Sequence, residues 1–215
     1  MVRVTSTQPH TPDVPPTGST TGSTTGSTTG SPTGTAPQTP AGRALADAVR
    51  ELEHHVAAAG WDAPVRVFAL VRTQAALEAE PTLAAQLEPA TLEAAQLEPW
   101  HLTSIEQEGL PQAENLETLL ASLSWPATVD GVAVTAERVV LPPSAEAELP
   151  QDDEAALAWL LAHPERQDVR IAVGVLREGA TWCAVRTRAH DSDDQVGQGA
   201  DVVPGLVSAL RATLA

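Results

Sequence analysis

Val169-Arg170-Ile171-Ala172-Val173-Gly174-Val175-Leu176-Arg177, Glu178-Gly179 and Ala180-Thr181-Trp182-Cys183-Ala184-Val185-Arg186-Thr187-Arg188 decide the fold class. The two flanks are rich in β-branched residues, and Glu178-Gly179 between them is a turn pair, so the stretch predicts an antiparallel hairpin. The acidic loop His190-Asp191-Ser192-Asp193-Asp194 follows, and then a helix opened by proline, from about Pro204 to Leu214.

Working outward, the rest of the chain does not alternate strictly between helix and strand. Leu45, Val49, Leu52 and Val56 recur on one helical face, with Gly60 as a C-terminal stop. Val65 to Arg72 reads as a strand, and Thr73 as the cap of a helix ending near Pro81. Residues 84–89 and 94–99 both spell Ala-Ala-Gln-Leu-Glu-Pro, a local duplication too short for a solenoid, and short surface helices are expected there. His101 to Gln107 predicts a strand and Pro111 to Leu123 a helix stopped by Trp125-Pro126. Asp130-Gly131 makes a turn into a strand over Val132 to Leu141, and Asp152 or Asp153 caps a helix running to His163. The expected fold is α+β: a mainly antiparallel sheet of four to five strands covered by helices.

Before this domain, residues 17–31 repeat Thr-Gly-Ser-Thr between prolines. Such a segment has little to bury, so residues 1–40 are expected to form a disordered tail and 41–215 a single globular domain. About 175 residues suffice to bury roughly 70% of the surface of the unfolded chain.

The chain of 215 residues has a formal net charge of −16, and the imbalance lies in the bases. All 12 are arginine, and lysine and tyrosine are absent. Isoleucine occurs only at 105 and 171 and asparagine only at 115, while alanine, arginine and proline abound. This is the imprint expected of a GC-rich, bacterial genome; a salt-adapted protein is the alternative, but it would show more acids, not merely fewer bases. Without lysine, Walker A loops, protein-kinase sites and pyridoxal Schiff bases are excluded. Cys183 alone excludes an intrachain disulfide, CxxC redox chemistry and multi-cysteine zinc sites. Acidity and the lack of tyrosine argue against nucleic acid as a partner. No apolar run approaches the ~20 residues of a membrane helix, and Met1 to Thr7 lacks the apolar core of a secretory signal. Neither membrane association nor export is expected, and the expected location is cytoplasmic.

Trp61-Asp62-Ala63-Pro64-Val65-Arg66-Val67-Phe68-Ala69-Leu70, His101-Leu102-Thr103-Ser104-Ile105-Glu106-Gln107-Glu108-Gly109-Leu110-Pro111 and Glu137-Arg138-Val139-Val140-Leu141-Pro142-Pro143 resemble blocks of an uncharacterised family of actinobacterial proteins of unknown function. The hairpin and His190–Asp194 are similar as well. The resemblance spans about 41–215 and implies a cytoplasmic protein of a GC-rich bacterium. It brings no catalytic residues with it, and it leaves any cofactor unknown.

Candidate sites are few. Asp191, Asp193 and Asp194 are suitable oxygen donors for a divalent cation such as Mg²⁺ or Ca²⁺. Their spacing fails the EF-hand pattern, because Val196 and Val202 stand where glycine and the closing glutamate belong. A solvated turn is the competing use. The run His190-Asp191-Ser192 fails as a triad, since consecutive side chains diverge. Arginines gather on the predicted strands: Arg66, Arg72, Arg138, Arg170, Arg177, Arg186 and Arg188. Arg66, Arg138, Arg186 and Arg188, with His190, would suit an anionic ligand; pairing with helix acids or with the Asp191 loop is the plainer use. Glu106 and Glu108 share a strand face but lack a partner acid or histidine. The expected function is a non-enzymatic binding or interaction module with a protein partner. The alternative is a binding protein or enzyme for a small anionic ligand that uses the strand arginines, with a divalent cation at 190–194.

Overall fold

Alternation of small and β-branched side chains on successive strands builds the sheet, and a computed structural model describes it for residues 37, 39–146 and 148–215. The strands are β1 (Arg66–Arg72), β2 (Leu102–Glu106), β3 (Gly131–Val140), β4 (Gln167–Leu176), β5 (Thr181–Thr187) and β6 (Gly197–Gly199). They form one sheet of order β2-β1-β3-β4-β5-β6, antiparallel at every pairing. The helices are α1 (Pro40–Ala57), α2 (Thr73–Ala79), α3 (Pro89–Leu97), α4 (Leu116–Ala121), α5 (Pro143–Glu146), α6 (Asp153–Ala162) and α7 (Pro204–Ala212).

The period-2 alternation sends alternate residues to opposite faces. Val67, Ala69, Val132, Val134, Ile171, Val173, Val175 and Cys183 pack with Leu116, Leu119 and Leu120 of α4 and with Val207 and Leu210 of α7. Phe68, Leu70, Ala133, Ala172, Trp182 and Ala184 pack with Leu45, Val49 and Leu52 of α1 on the other face. Gly174 lets α1 come close: a Cβ there would lie 2.6 Å from Val49 Cγ2 and 2.8 Å from Leu45 Cδ1.

Several expectations are revised. Among the described residues the sheet has six strands, not four to five. The sixth, β6, is three residues long and carries no β-branched side chain to announce it; its pairing with Cys183, Ala184 and Val185 makes it a strand. The helix expected over Pro111–Leu123 shrinks to Leu116–Ala121, because Asn115 Oδ1 caps it by accepting from the Thr118 N–H at 2.8 Å. Thr73 does not cap α2 but is its first residue, fully buried, with its hydroxyl 2.8 Å from both His101 Nδ1 and Thr103 Oγ1. Most of the expected N-terminal tail, residues 1–36 and 38, lies outside the described residues. Thr39 and Pro40 belong to α1 as its cap and first residue.

Candidate functional site

Arg170 and Arg186 stand directly opposite each other on β4 and β5, and Glu137 of β3 stands opposite Arg170. All three share the α1 face of the sheet. Ala172, Ala184 and Thr135 one step along leave room for the long side chains to lie down under α1. Two arginines side by side in a core repel each other unless carboxylates accompany them.

For Arg186 the first of these is Glu53, on the otherwise apolar face of α1. Nε and Nη2 of Arg186 donate to the two Glu53 oxygens at 2.6 and 2.8 Å, and both side chains are 3% exposed. The acidic loop completes the shell: Arg186 Nη2 donates to Asp193 Oδ1 at 2.7 Å and Nη1 to Asp191 Oδ1 at 3.3 Å. Hydrogen bonding from Arg186 holds the Asp193 carboxyl below the usual aspartate range, with the nearby His54 assisting. Glu53 and Asp193 in turn raise the pKa of Arg186.

Arg170, 1% exposed, donates from Nη2 to Glu137 Oε1 at 2.9 Å and to the Gly60 carbonyl. Its guanidinium lies 4.4 Å from the Trp61 ring centroid, and that of Arg188 lies 5.1 Å from the same ring. The Trp61 indole N–H donates to Asp191 Oδ2 at 2.8 Å, and Arg188 Nη2 donates to Asp62 Oδ2 at 2.6 Å. The α1–β1 connection is thus clamped to the hairpin end through Trp61 and Asp62. Nε and Nη1 of Arg170 and Oγ1 of Thr135 are buried with no partner among the described residues.

Of the residues singled out from sequence, Arg186, Arg188, Asp191 and Asp193 come together here. Asp194 bonds locally, and hydrogen bonds from Ser192 and Gln195 hold its carboxyl below the usual range. His190 Nδ1 lies 3.4 Å from Thr187 Oγ1. Arg66 faces Glu106 at 3.7 Å, and Arg138, alternating with Glu137, points to the opposite sheet face beside α4. Among the described residues, no group of three His, Cys, Asp or Glu side chains is placed to hold a metal ion. Arg170, one of the strand arginines, completes the cluster with Glu53, Trp61, Asp62 and Glu137, none of which the sequence marks as a site residue. Glu53 carried a legible signal, a carboxylate on the apolar face of α1.

A second feature begins three positions beyond Glu137 and Arg170, where Val140 pairs with Gln167. The chain between them makes an excursion carrying α5 and α6 in place of a tight turn. Asp152 caps α6 by accepting from the Ala155 N–H at 2.9 Å, and Trp159 packs on His163 with ring centroids 4.6 Å apart. The helix reads Asp-Glu-Ala-Ala-Leu-Ala-Trp-Leu-Leu-Ala, yet none of its described residues is buried. Leu157 and Leu161, one turn apart, are 56% and 49% exposed. Among the described residues, no helix is long and apolar enough to cross a membrane.

No curated protein and no solved structure matches the chain. A family model described as PPA1309-like protein matches residues 45–215, from within α1 through all six strands to the last residue. The chain therefore belongs to the PPA1309-like protein family.

Proposed function

We propose that the domain is a non-enzymatic interaction module that lays α6 into an apolar groove of a partner protein. The carrying observation is a ten-residue apolar helix with no buried residue among those described. Helices shorter than about 12–15 residues are marginal in water and draw their stability from packing. A partner that buries Leu157 and Leu161 gains about 1.5–3 kcal/mol for each fully covered side chain. At 1.5 Å per residue the helix is about 15 Å long, short for the ~800 Å² per partner of a standard interface. That favours helix-in-groove recognition over an obligate dimer. The module belongs in the cytoplasm of an actinobacterium on this account, in keeping with its single cysteine and lysine-free composition.

The test places a photo-crosslinking residue at position 157, or at position 97 on α3, in the full chain in its native host. Leu97 is 85% exposed and serves as the control. The account expects one discrete adduct from position 157 that Leu161→Glu abolishes. Equal labelling from both positions, or an adduct indifferent to Leu161→Glu, overturns it.

A second function, binding or turnover of a small anionic ligand, draws on one observation: Nε and Nη1 of Arg170 and Oγ1 of Thr135, buried on the same sheet face, have no partner among the described residues. It has weaker support, because Arg170 is 1% exposed and the donors of Arg186 are spent on Glu53, Asp191 and Asp193. Thermal-shift titration with phosphate, citrate and Mg²⁺ tests it, since a ligand of the native state raises Tm by mass action. An unchanged Tm in all three ends that proposal.

A further inference from the structure

We propose that the open edge of β2 takes an extended, basic peptide segment as a seventh strand. β2 ends the sheet order, so among the described residues one of its sides has no neighbouring strand. The Thr73 N–H donates to the His101 carbonyl at 2.9 Å and the Gln107 N–H to the Val67 carbonyl at 2.8 Å. Odd-numbered residues therefore face β1, and the alternation of an antiparallel ladder turns the N–H and C=O groups of Leu102, Ser104 and Glu106 outward. Sheet edges are ordinarily blunted by proline, lysine or a bulge. β2 reads Leu-Thr-Ser-Ile-Glu, and its register with β1 is unbroken from Leu102 to Glu106. The opposite edge, β6, is only the tripeptide Gly-Gln-Gly.

A cavity of about 710 Å³ touches His101, Leu102, Thr103, Ser104 and Glu106. The cavity also meets Leu52 and His55 of α1 and Phe68 of β1, so it lies on the α1 face of the sheet beside the β2 edge. α1 and α3 with the turn before it wall the cavity. An edge of five residues is about 17 Å long, the span of a five-residue partner strand.

Charge selects the occupant. Glu51, Glu88 and Glu106 line the cavity with His55 and His101, and among the described residues no arginine does, on a chain of net charge −16. Arg66 is the counter-charge to Glu106 and stands 3.7 Å away. A second copy adding its own β2 would bring the two glutamate sets together, and like charges across a strand pair are destabilising. A segment with lysine or arginine at alternate positions meets the same glutamates favourably, while its main chain bonds the outward groups of Leu102, Ser104 and Glu106.

The test is fluorescence anisotropy of the full chain with a labelled Lys-Val-Lys-Val-Lys-Val-Lys peptide. Controls are a Lys-Gly peptide of equal charge and a Glu-Val peptide. Ser104→Pro deletes an outward N–H without touching a bond to β1, a change that edge strands tolerate. Saturable binding of the Lys-Val peptide, weakened at least tenfold by Ser104→Pro and also by Glu51→Gln with Glu106→Gln, is the expected result. Equal affinity for the Lys-Gly peptide, or binding that survives Ser104→Pro, assigns the attraction to net charge and overturns the proposal. So does a dimer in sedimentation velocity that Ser104→Pro dissolves, which would give the edge to a second copy. Leu157→Glu, on α6, should leave the peptide affinity unchanged.

Discussion

Removing Glu53 should rank among the costliest single changes to a charged residue in this domain. Glu53→Ala leaves Arg186 in place, 3% exposed, without the bidentate partner 2.6 Å from its Nε. Asp193 and Asp191 remain, but they are 69% and 45% exposed, so their attraction is screened by water and compensates little. Breaking a buried pair from one side costs about 3–5 kcal/mol, because the surviving charge stays desolvated. The rim aspartates place the expectation at the low end, about 3 kcal/mol. With a urea m-value of about 2 kcal/mol per molar, the unfolding midpoint should fall by about 1.5 M. Glu53→Leu combined with Arg186→Leu removes both charges and should recover much of the loss, giving a positive coupling in a double-mutant cycle. The assay is urea unfolding followed by tryptophan fluorescence, with m compared between variants. A loss below about 1 kcal/mol for Glu53→Ala, or simple additivity in the cycle, would refute the view that this pair is desolvated.

Other expectations follow from the same geometry. Arg186 depresses the folded-state pKa of Asp193, so the associated stability is present above the ordinary aspartate pKa and is lost as pH falls below about 4. Asp193→Asn should flatten the acid limb of a Tm-against-pH profile and leave a wild-type slope only if another carboxylate dominates. Gly174→Ala drives a methyl into Val49 and Leu45 of α1 and should cost about 1–3 kcal/mol in chemical denaturation; a neutral result would mean that α1 can back away freely. Burial pushes the Cys183 thiol up, so a disulfide reagent should modify it only as fast as the domain opens, and prompt reaction in native buffer would contradict its placement.

What the sequence disclosed divides along the range of the interactions. The β4–β5 hairpin was legible because β-branched alternation and Glu178-Gly179 are local; Gly179 indeed adopts φ +104°. α1 was legible from the recurrence of Leu45, Val49, Leu52 and Val56, all of them buried. β6 was not, since Gly-Gln-Gly becomes a strand only through what β5 offers it. In the arginine cluster, the strand positions of Arg186 and Arg188 were readable, as was the chance that the Asp191 loop would neutralise them. The partner that matters most, Glu53, lies 133 residues from Arg186, and no spacing rule reaches that far. Trp61 sits in a family-like block that says nothing of its contacts; its place between Arg170 and Arg188 depends on how the α1–β1 connection folds back on the sheet. α6 posed the reverse problem: its capped, apolar sequence predicted a helix but gave no hint that the helix would go uncovered.

The proposal that α6 is an exposed recognition helix can be tested most directly by hydrogen–deuterium exchange on the full chain, alone and with the protein recovered by crosslinking at position 157. The account predicts that α6 amides exchange rapidly in the free chain while those of α1 stay protected, and that the partner slows exchange in α6. An α6 already as protected as α1 in the free chain, or a partner that slows exchange elsewhere and leaves α6 untouched, would contradict it.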